Sequence, residues 1–217
     1  MLPRELSAPT LEHESRLWAK GYRHIAGLDE AGRGAWAGPV VAAAVILPSN
    51  QPGLMQHLAG VRDSKALTAA RRESLLEIIV EHALTWATGA VPPDEIDRLG
   101  IVPATRRAMA QALEALSPPA GYLLIDYLPL PQVPLPQYHL PKGDVWVLSI
   151  AAASIVAKVH RDRMMIDLGA LYPGYGFARH KGYGTPQHRA ALAALGPCPA
   201  HRMSFAPLRC LKATPGC

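Results

Sequence analysis

The sequence predicts an α/β fold, a mixed sheet covered by helices, on two observations. Apolar segments rich in valine and isoleucine come early, with glycines between them. Stretches of helical periodicity then alternate with further short apolar runs, the pattern of helices packed on buried strands. The 217 residues suit one domain with at most a small appendage, read here as an N-terminal extension at 1–21, a main domain at 22–210 and a tail at 211–217.

Residues 22–28 read as a strand, Gly32, Gly34 and Gly38 as a tight turn, and 39–47 as a second strand. Asp63, Ser64 and Lys65 fall in a loop. From 68 to 83, Leu75, Leu76, Ile79 and Ala83 recur at helical spacing among arginines and glutamates, which predicts a helix. A third strand is expected at 84–91, closed by Pro92 and Pro93. A second helix follows at 103–116, with Met109, Leu113 and Leu116 on one face, and Pro118 and Pro119 stop it. Residues 122–125 form the continuous apolar run of a strand buried on both faces, ending in Asp126. Five prolines between 128 and 141 exclude a central strand over most of that length and predict a rigid extended loop. An alanine-rich run followed by Val159, Met164 and Ile166 predicts a long helix at 149–170, buried at its start and solvated near 158–163. A glycine- and aromatic-rich loop at 172–183 and a last helix at 186–195 complete the chain.

Hydrophobic residues make up 49% and charged residues 18%, enough for a core and too little charge for a disordered chain. The longest apolar run, 40–47, is far shorter than the ~20 residues of a membrane span. The stretch 145–157 contains two serines and reads as a buried helix. Glu5, Glu12 and Glu14 near the start do not suit a signal peptide, so a cytoplasmic protein without membrane contact is expected. A net charge of +5 favours polyanionic partners through counterion release. Cys198, Cys210 and Cys217 lack metal or redox spacing and are expected to stay reduced thiols.

Chemistry is concentrated where carboxylates end apolar strands. Asp29 and Glu30 follow the first strand and run into Gly32 and Gly34; polar ends of buried strands are where α/β proteins place sites. Successive side chains alternate faces, so this pair shares a ligand only if the backbone bends there. Asp126 ends its strand likewise, and Asp144 precedes the long helix. Taken singly, each has a local explanation as a turn or helix-start residue. Gathered at one sheet edge, they would repel by ~4 kcal/mol per close pair and would need protons or a cation. All-oxygen ligands suit Mg²⁺ or Mn²⁺, and a pair of such ions suits phosphodiester hydrolysis, one activating water and the other stabilising the leaving oxygen. Arg33, Lys65, Lys158 and Lys181 are then candidates for phosphate contact. The separation of His180, His188 and His201, without paired cysteines, argues against zinc. Asp162 reads as a helix-surface ion-pair partner, and Trp36 and Trp146 as packing residues.

GLDEAGRGAWAGPVVAAAVIL, DSKALTAARRE, LLID, KGDVWVLSIAAASIVAKVHRDR, YPGYGFARHKGYGT and HRMSFAPL, in this order and spacing, closely resemble the motifs of the ribonuclease HII family over residues 22 to 209. The resemblance implies a ribonuclease H-like catalytic domain, antiparallel strands followed by parallel strands and helices, with an additional C-terminal helical region. It implies endonucleolytic cleavage of RNA in RNA–DNA hybrids and of duplex DNA at single embedded ribonucleotides, leaving 3′-hydroxyl and 5′-phosphate ends. Asp29, Glu30, Asp126 and Asp144 match the catalytic, metal-binding carboxylates, with two divalent ions, Mg²⁺ or Mn²⁺, as cofactors. Gly32, Arg33 and Gly34 match the loop that reads the ribose 2′-hydroxyl, and Tyr183 the tyrosine that stacks near the junction. Ser64, Lys65 and Lys181 complete the candidate substrate-binding residues. The expected partner is hybrid or ribonucleotide-containing duplex, bound by a monomer, with contact to a replication clamp left open. A non-catalytic nucleic-acid module, or a nuclease of this fold acting on other DNA structures, is the alternative. Two positions depart from the family pattern: Tyr127 stands where glycine commonly follows the strand-end aspartate, and Gly100 where asparagine is frequent.

Overall fold

Two apolar strands lie at the centre because neither of their faces meets water. These are β1 (Ile25–Ala31) and β2 (Val40–Ile46), buried along nearly their whole length. They pair antiparallel, and β2 pairs antiparallel with β3 (Thr85–Val91). On its other side β1 pairs in parallel with β4 (Tyr122–Asp126), which pairs in parallel with β5 (Gln137–Leu140), giving the order β3-β2-β1-β4-β5. The structure is a computed structural model that describes residues 8–212; Cys217 and most of the predicted tail lie outside the described residues.

Helices cover both faces. They are α1 (Glu12–Ala19), α2 (Leu54–His57), α3 (Ala69–His82), α4 (Pro93–Leu99), α5 (Ile101–Glu114), α6 (Gly143–Trp146), α7 (Leu148–Leu171), α8 (Phe177–His180), α9 (Pro186–Leu195) and α10 (Leu208–Lys212). The period-two alternation of β2 divides the core. Ala42, Ala44 and Ile46 pack with Ala108 and Met109 of α5, while Ala43 and Val45 pack with Leu75 and Ile79 of α3 and Ile155 of α7. Thr68 starts α3 by accepting the Arg71 N–H at 3.2 Å, and Thr185 caps α9 the same way through His188. Among the described residues no helix is long and apolar enough to cross a membrane.

The structure corrects several local expectations. Pro93 does not close a strand into a loop but occupies the first turn of α4, with Asp94 and Glu95 favourably placed beside the helix N-terminus. Gly100, at φ 82°, ends α4 and begins α5. Four residues between Pro136 and Pro141 form β5, tolerated because it is an edge strand bonded only to β4. The expected buried helix from 145 breaks at Val147, whose extended backbone separates α6 from α7. Trp146, expected to pack, is 52% exposed.

The N-terminal segment is tied to the start of α7. Thr10 donates its N–H to the Trp146 carbonyl and accepts from Leu148 N–H, both at 3.0 Å. No side chain from its own neighbourhood caps α7. Instead the fully buried Glu14, on α1, accepts the Ser149 N–H through Oε1 at 2.9 Å. Burial pushes the Glu14 carboxyl above its ordinary range. Leu17 of the same helix packs against Ile25, Leu124 and Ile150. Glu14→Ala is expected to cost about 1–3 kcal/mol in urea unfolding, because the Ser149 N–H is left buried and unpaired; an unmoved midpoint would remove Glu14 as the cap.

Candidate active site

Sheet register brings the four carboxylates to one edge. Leu28 pairs with Ile125, so Asp29 and Asp126 follow side by side at the ends of adjacent parallel strands. Asp126 is paired in turn with Leu140 at the end of β5. From there the chain turns through Lys142, at φ 61°, into α6, where the Gly143 N–H donates to Asp126 Oδ1 at 2.7 Å and Asp144 follows. The edge strand hidden among the prolines is therefore what delivers Asp144. No bend separates Asp29 from Glu30: β1 stays paired with β2 through Ala31. Because β4 stops at Asp126, the end of β1 projects beyond it, and Asp29, Glu30 and Asp126 all border one cavity of about 520 Å³.

The site is crowded with negative charge. Burial, then Glu30 and Asp126, raise the Asp29 carboxyl well above the usual range. Burial raises Glu30 as well, opposed by Arg33, whose Nη1 lies 3.1 Å from Glu30 Oε1. Burial raises Asp126 against the Gly143 hydrogen bond, and burial followed by Asp126 brings Asp144 up to about 6. Lys65 Nζ sits 3.9 Å from both Asp63 and Asp144. Burial works against its charge, but the fields of Asp29, Asp63 and Asp144 prevail and raise it.

A divalent cation fits this set in donor chemistry and charge. Every candidate ligand is an oxygen, burial raises all four carboxyls so that a bound cation would offset the cost of their charge, and Glu30 Oε2 is buried with no hydrogen-bond partner. Among the described residues no three acidic, histidine or cysteine side chains already converge to hold an ion.

Behind Gly32 and Arg33 lie two buried arginines that form no ion pair among the described residues. Arg161 donates to the carbonyls of Pro39 at 2.9 Å, Lys181 at 3.0 Å and Ala37 at 3.2 Å. Arg202 donates to Gly38 at 2.9 Å and Arg33 at 3.0 Å. Burial, then the neighbouring Arg161, lowers Arg202 to about 9. Gly32 turns at φ 92° directly over Arg161, where a Cβ would fall 1.8 Å from Nε. Gly182, at φ 79°, lies against the Ala37 carbonyl and accepts the Trp36 N–H. A Cβ on Gly34, by contrast, would meet nothing within 4 Å. Tyr183 is 38% exposed and borders the cavity beside Gly32 and Gly34, with the Arg161 guanidinium 5.4 Å and Lys158 Nζ 5.9 Å from its ring. Tyr127 takes the left-handed conformation a glycine would, φ 60°, and leaves its ring 59% exposed with Arg33 6.0 Å from its centroid.

Ser64, Lys65, Arg33 and Lys158 border the cavity as well. Lys181 does not: its ammonium donates to the Ala178 carbonyl at 2.5 Å. Arg72 was not anticipated. It borders the cavity, donates to the carbonyls of Ser64 and Leu67, and approaches Asp162, which also pairs with Lys158 at 2.6 Å. Its signal was present in the arginines just after the Asp63–Lys65 loop. The three histidines set apart by sequence distance are neighbours in space: His188 Nε2 lies 3.0 Å from His201 Nε2, and His180 stacks on His188.

The ribonuclease HII family matches residues 26–208. A ribonuclease HII of Roseiflexus castenholzii is 58% identical over 202 residues, covering 93% of this chain and 90% of that one. The crystal structure of ribonuclease H2 from Pyrococcus horikoshii shares the fold with a TM-score of 0.74 at 25% identity, over 88% of this chain and 97% of its own. The ribonuclease HII solved in complex with PCNA from Archaeoglobus fulgidus gives 0.69 at 28% identity, over 84% and 95%. The chain thus belongs to the ribonuclease HII family, endonucleases of the ribonuclease H type.

Proposed function

We propose that this chain hydrolyses the RNA strand of RNA–DNA hybrids and cuts 5′ to single ribonucleotides embedded in duplex DNA, leaving 3′-hydroxyl and 5′-phosphate ends. The observation that carries the reading is one cavity bordered on one side by Asp29, Glu30 and Asp126, with Asp144 linked to it through Lys65, and on the other by Gly32, Arg33, Gly34 and Tyr183. Asp29, Glu30, Asp126 and Asp144 would hold two divalent ions, Mg²⁺ or Mn²⁺. When bound, these supply an activated water and charge stabilisation at the leaving oxygen.

The chain's own residues do the rest. Arg33, Arg72 and Lys158 border the cavity as cations and attract the phosphates of the duplex. Lys65 neutralises Asp144 and Asp63 until substrate arrives. Gly34 leaves a gap through which a sugar edge reaches the backbone, and the 2′-hydroxyl is the group that tells RNA from DNA there. The Tyr183 ring, with two cations beside it and partly exposed at the cavity, is placed to meet the junction.

Because the fold has room for a methyl group at Gly34, Gly34→Ala is expected to keep its thermal midpoint and lose ~10-fold in cleavage of a one-ribonucleotide duplex. Wild-type kinetics would mean that no sugar approaches there. The reading as a whole is tested with a labelled one-ribonucleotide duplex titrated with Mg²⁺ and with Mn²⁺. Metal-dependent cleavage at the 5′ side of the ribonucleotide is expected, abolished by chelator. Binding without cleavage at any metal concentration would favour a non-catalytic module instead.

A further inference from the structure

The Tyr183 backbone is gripped by histidines whose proton positions the structure dictates. His188 Nδ1 lies 3.0 Å from the Tyr183 carbonyl. A carbonyl only accepts, so Nδ1 carries the proton, and in a neutral ring His188 Nε2 is then an acceptor. It faces His201 Nε2 at 3.0 Å, which must therefore be the protonated nitrogen of His201. That leaves His201 Nδ1 as an acceptor, and the Cys198 N–H donates to it at 2.9 Å. The Cys198 carbonyl, 3.2 Å from the same nitrogen, already accepts the His201 N–H at 2.9 Å, and Cys198 Sγ lies 3.2 Å away. The shorter contact at the Cys198 end, from its N–H, agrees with the tautomers set at the Tyr183 end.

A third imidazole is fixed in the same manner. His180 donates through Nε2 to the Tyr175 carbonyl at 2.7 Å and accepts the Gly182 N–H at 3.2 Å through Nδ1. It stacks on His188 with ring centroids 4.5 Å apart, and Phe177 meets His188 edge-on. All three rings are buried. Burial lowers His188 to about 4 and His201 below its ordinary value, so both stay neutral, as the bonding requires. The backbone around Tyr183 is thus held, by the His180 ring at the preceding Gly182 N–H and by His188 together with the Thr185 N–H at the Tyr183 carbonyl, while Tyr183 borders the cavity.

We propose that the directed chain Cys198 N–H to His201, His201 to His188, and His188 to the Tyr183 carbonyl is a positioning relay. It sets the Tyr183 ring for recognition of the ribonucleotide junction, with His188 and His201 as positioning residues. This rests on Tyr183 contacting substrate. Fixing a contact residue through its backbone, from groups that never touch the ligand, lowers the ordering cost at binding.

The test has a spectroscopic and a kinetic arm. Long-range ¹⁵N–¹H spectra of the wild-type protein at neutral pH are expected to show His188 as the Nδ1–H tautomer and His180 and His201 as Nε2–H; an imidazolium or the opposite tautomer at His188 or His201 overturns the relay. In the kinetic arm, His188→Leu is expected to raise KM for a one-ribonucleotide duplex roughly 10-fold with little change in kcat. His188→Asn, which keeps an N–H near the place of Nδ1, is expected to recover most of the loss. Tyr183→Ala should raise KM similarly, and adding His188→Leu to it should change nothing more. If Tyr183→Ala alone leaves KM unmoved, the substrate role of Tyr183 falls. If it raises KM while His188→Leu does not, or the two effects add in full, only the relay falls. Should His188→Leu fail to fold, the asparagine variant and the spectra still decide.

Discussion

Asp29→Asn is expected to lower turnover by ~10³-fold, about 4 kcal/mol of barrier, while leaving hybrid affinity largely intact. The same substitution should make the protein more stable in chelator. Burial and the neighbouring carboxylates raise the Asp29 carboxyl in the folded state, so the folded chain binds its proton more tightly than the unfolded chain does. The stabilising effect of that proton is present in acid and lost as pH rises through the folded-state value. Asparagine carries no charge to lose, so its advantage over wild type grows toward neutral pH and closes in acid. Urea unfolding in chelator between pH 4 and 8, set beside single-turnover cleavage, measures both. Equal stabilities at every pH would mean that repulsion at the site is already neutralised, and full activity would remove Asp29 from the reacting groups.

The largest loss of stability is expected from Arg161→Met. The methionine has nearly the volume of the aliphatic stem but leaves the carbonyls of Pro39, Ala37 and Lys181 without their donor. A cost of about 3–5 kcal/mol follows, a large share of the ~5–15 kcal/mol of a whole domain. Arg161→Lys should recover little, because one ammonium cannot span three diverging carbonyls as the planar fork does. A urea midpoint shift worth under about 1 kcal/mol would show that the two loops hold together without the guanidinium.

What the sequence made legible was local. The strands β1, β2 and β4 read as apolar runs, and the carboxylates toward the ends of β1 and β4 stand out against them. Elements that depend on distant partners were hidden. β5 exists because β4 offers it an edge, and its flanking prolines mask four residues that carry only a weak pattern of their own. Pro92-Pro93 signals a stop and a start equally well, and the acidic Asp94 and Glu95 were the cue to a start. Glu14 looks like any solvated glutamate of an amphipathic segment until Ser149 is known to lie beside it. His188 and His201, thirteen positions apart, were judged by separation along the chain, whereas α9 and the turn after it fold them face to face.

The bond between Glu14 and Ser149 spans 135 residues. On a ribosome adding ~5–20 residues per second, the acceptor therefore waits on the order of ten seconds before its donor is made. Until then the nascent chain carries Asp29 and Glu30 without Asp126, and later without Asp144. The four carboxylates can thus gather only once Asp144 has been made, and the long helix that follows then docks against α1, synthesised before it.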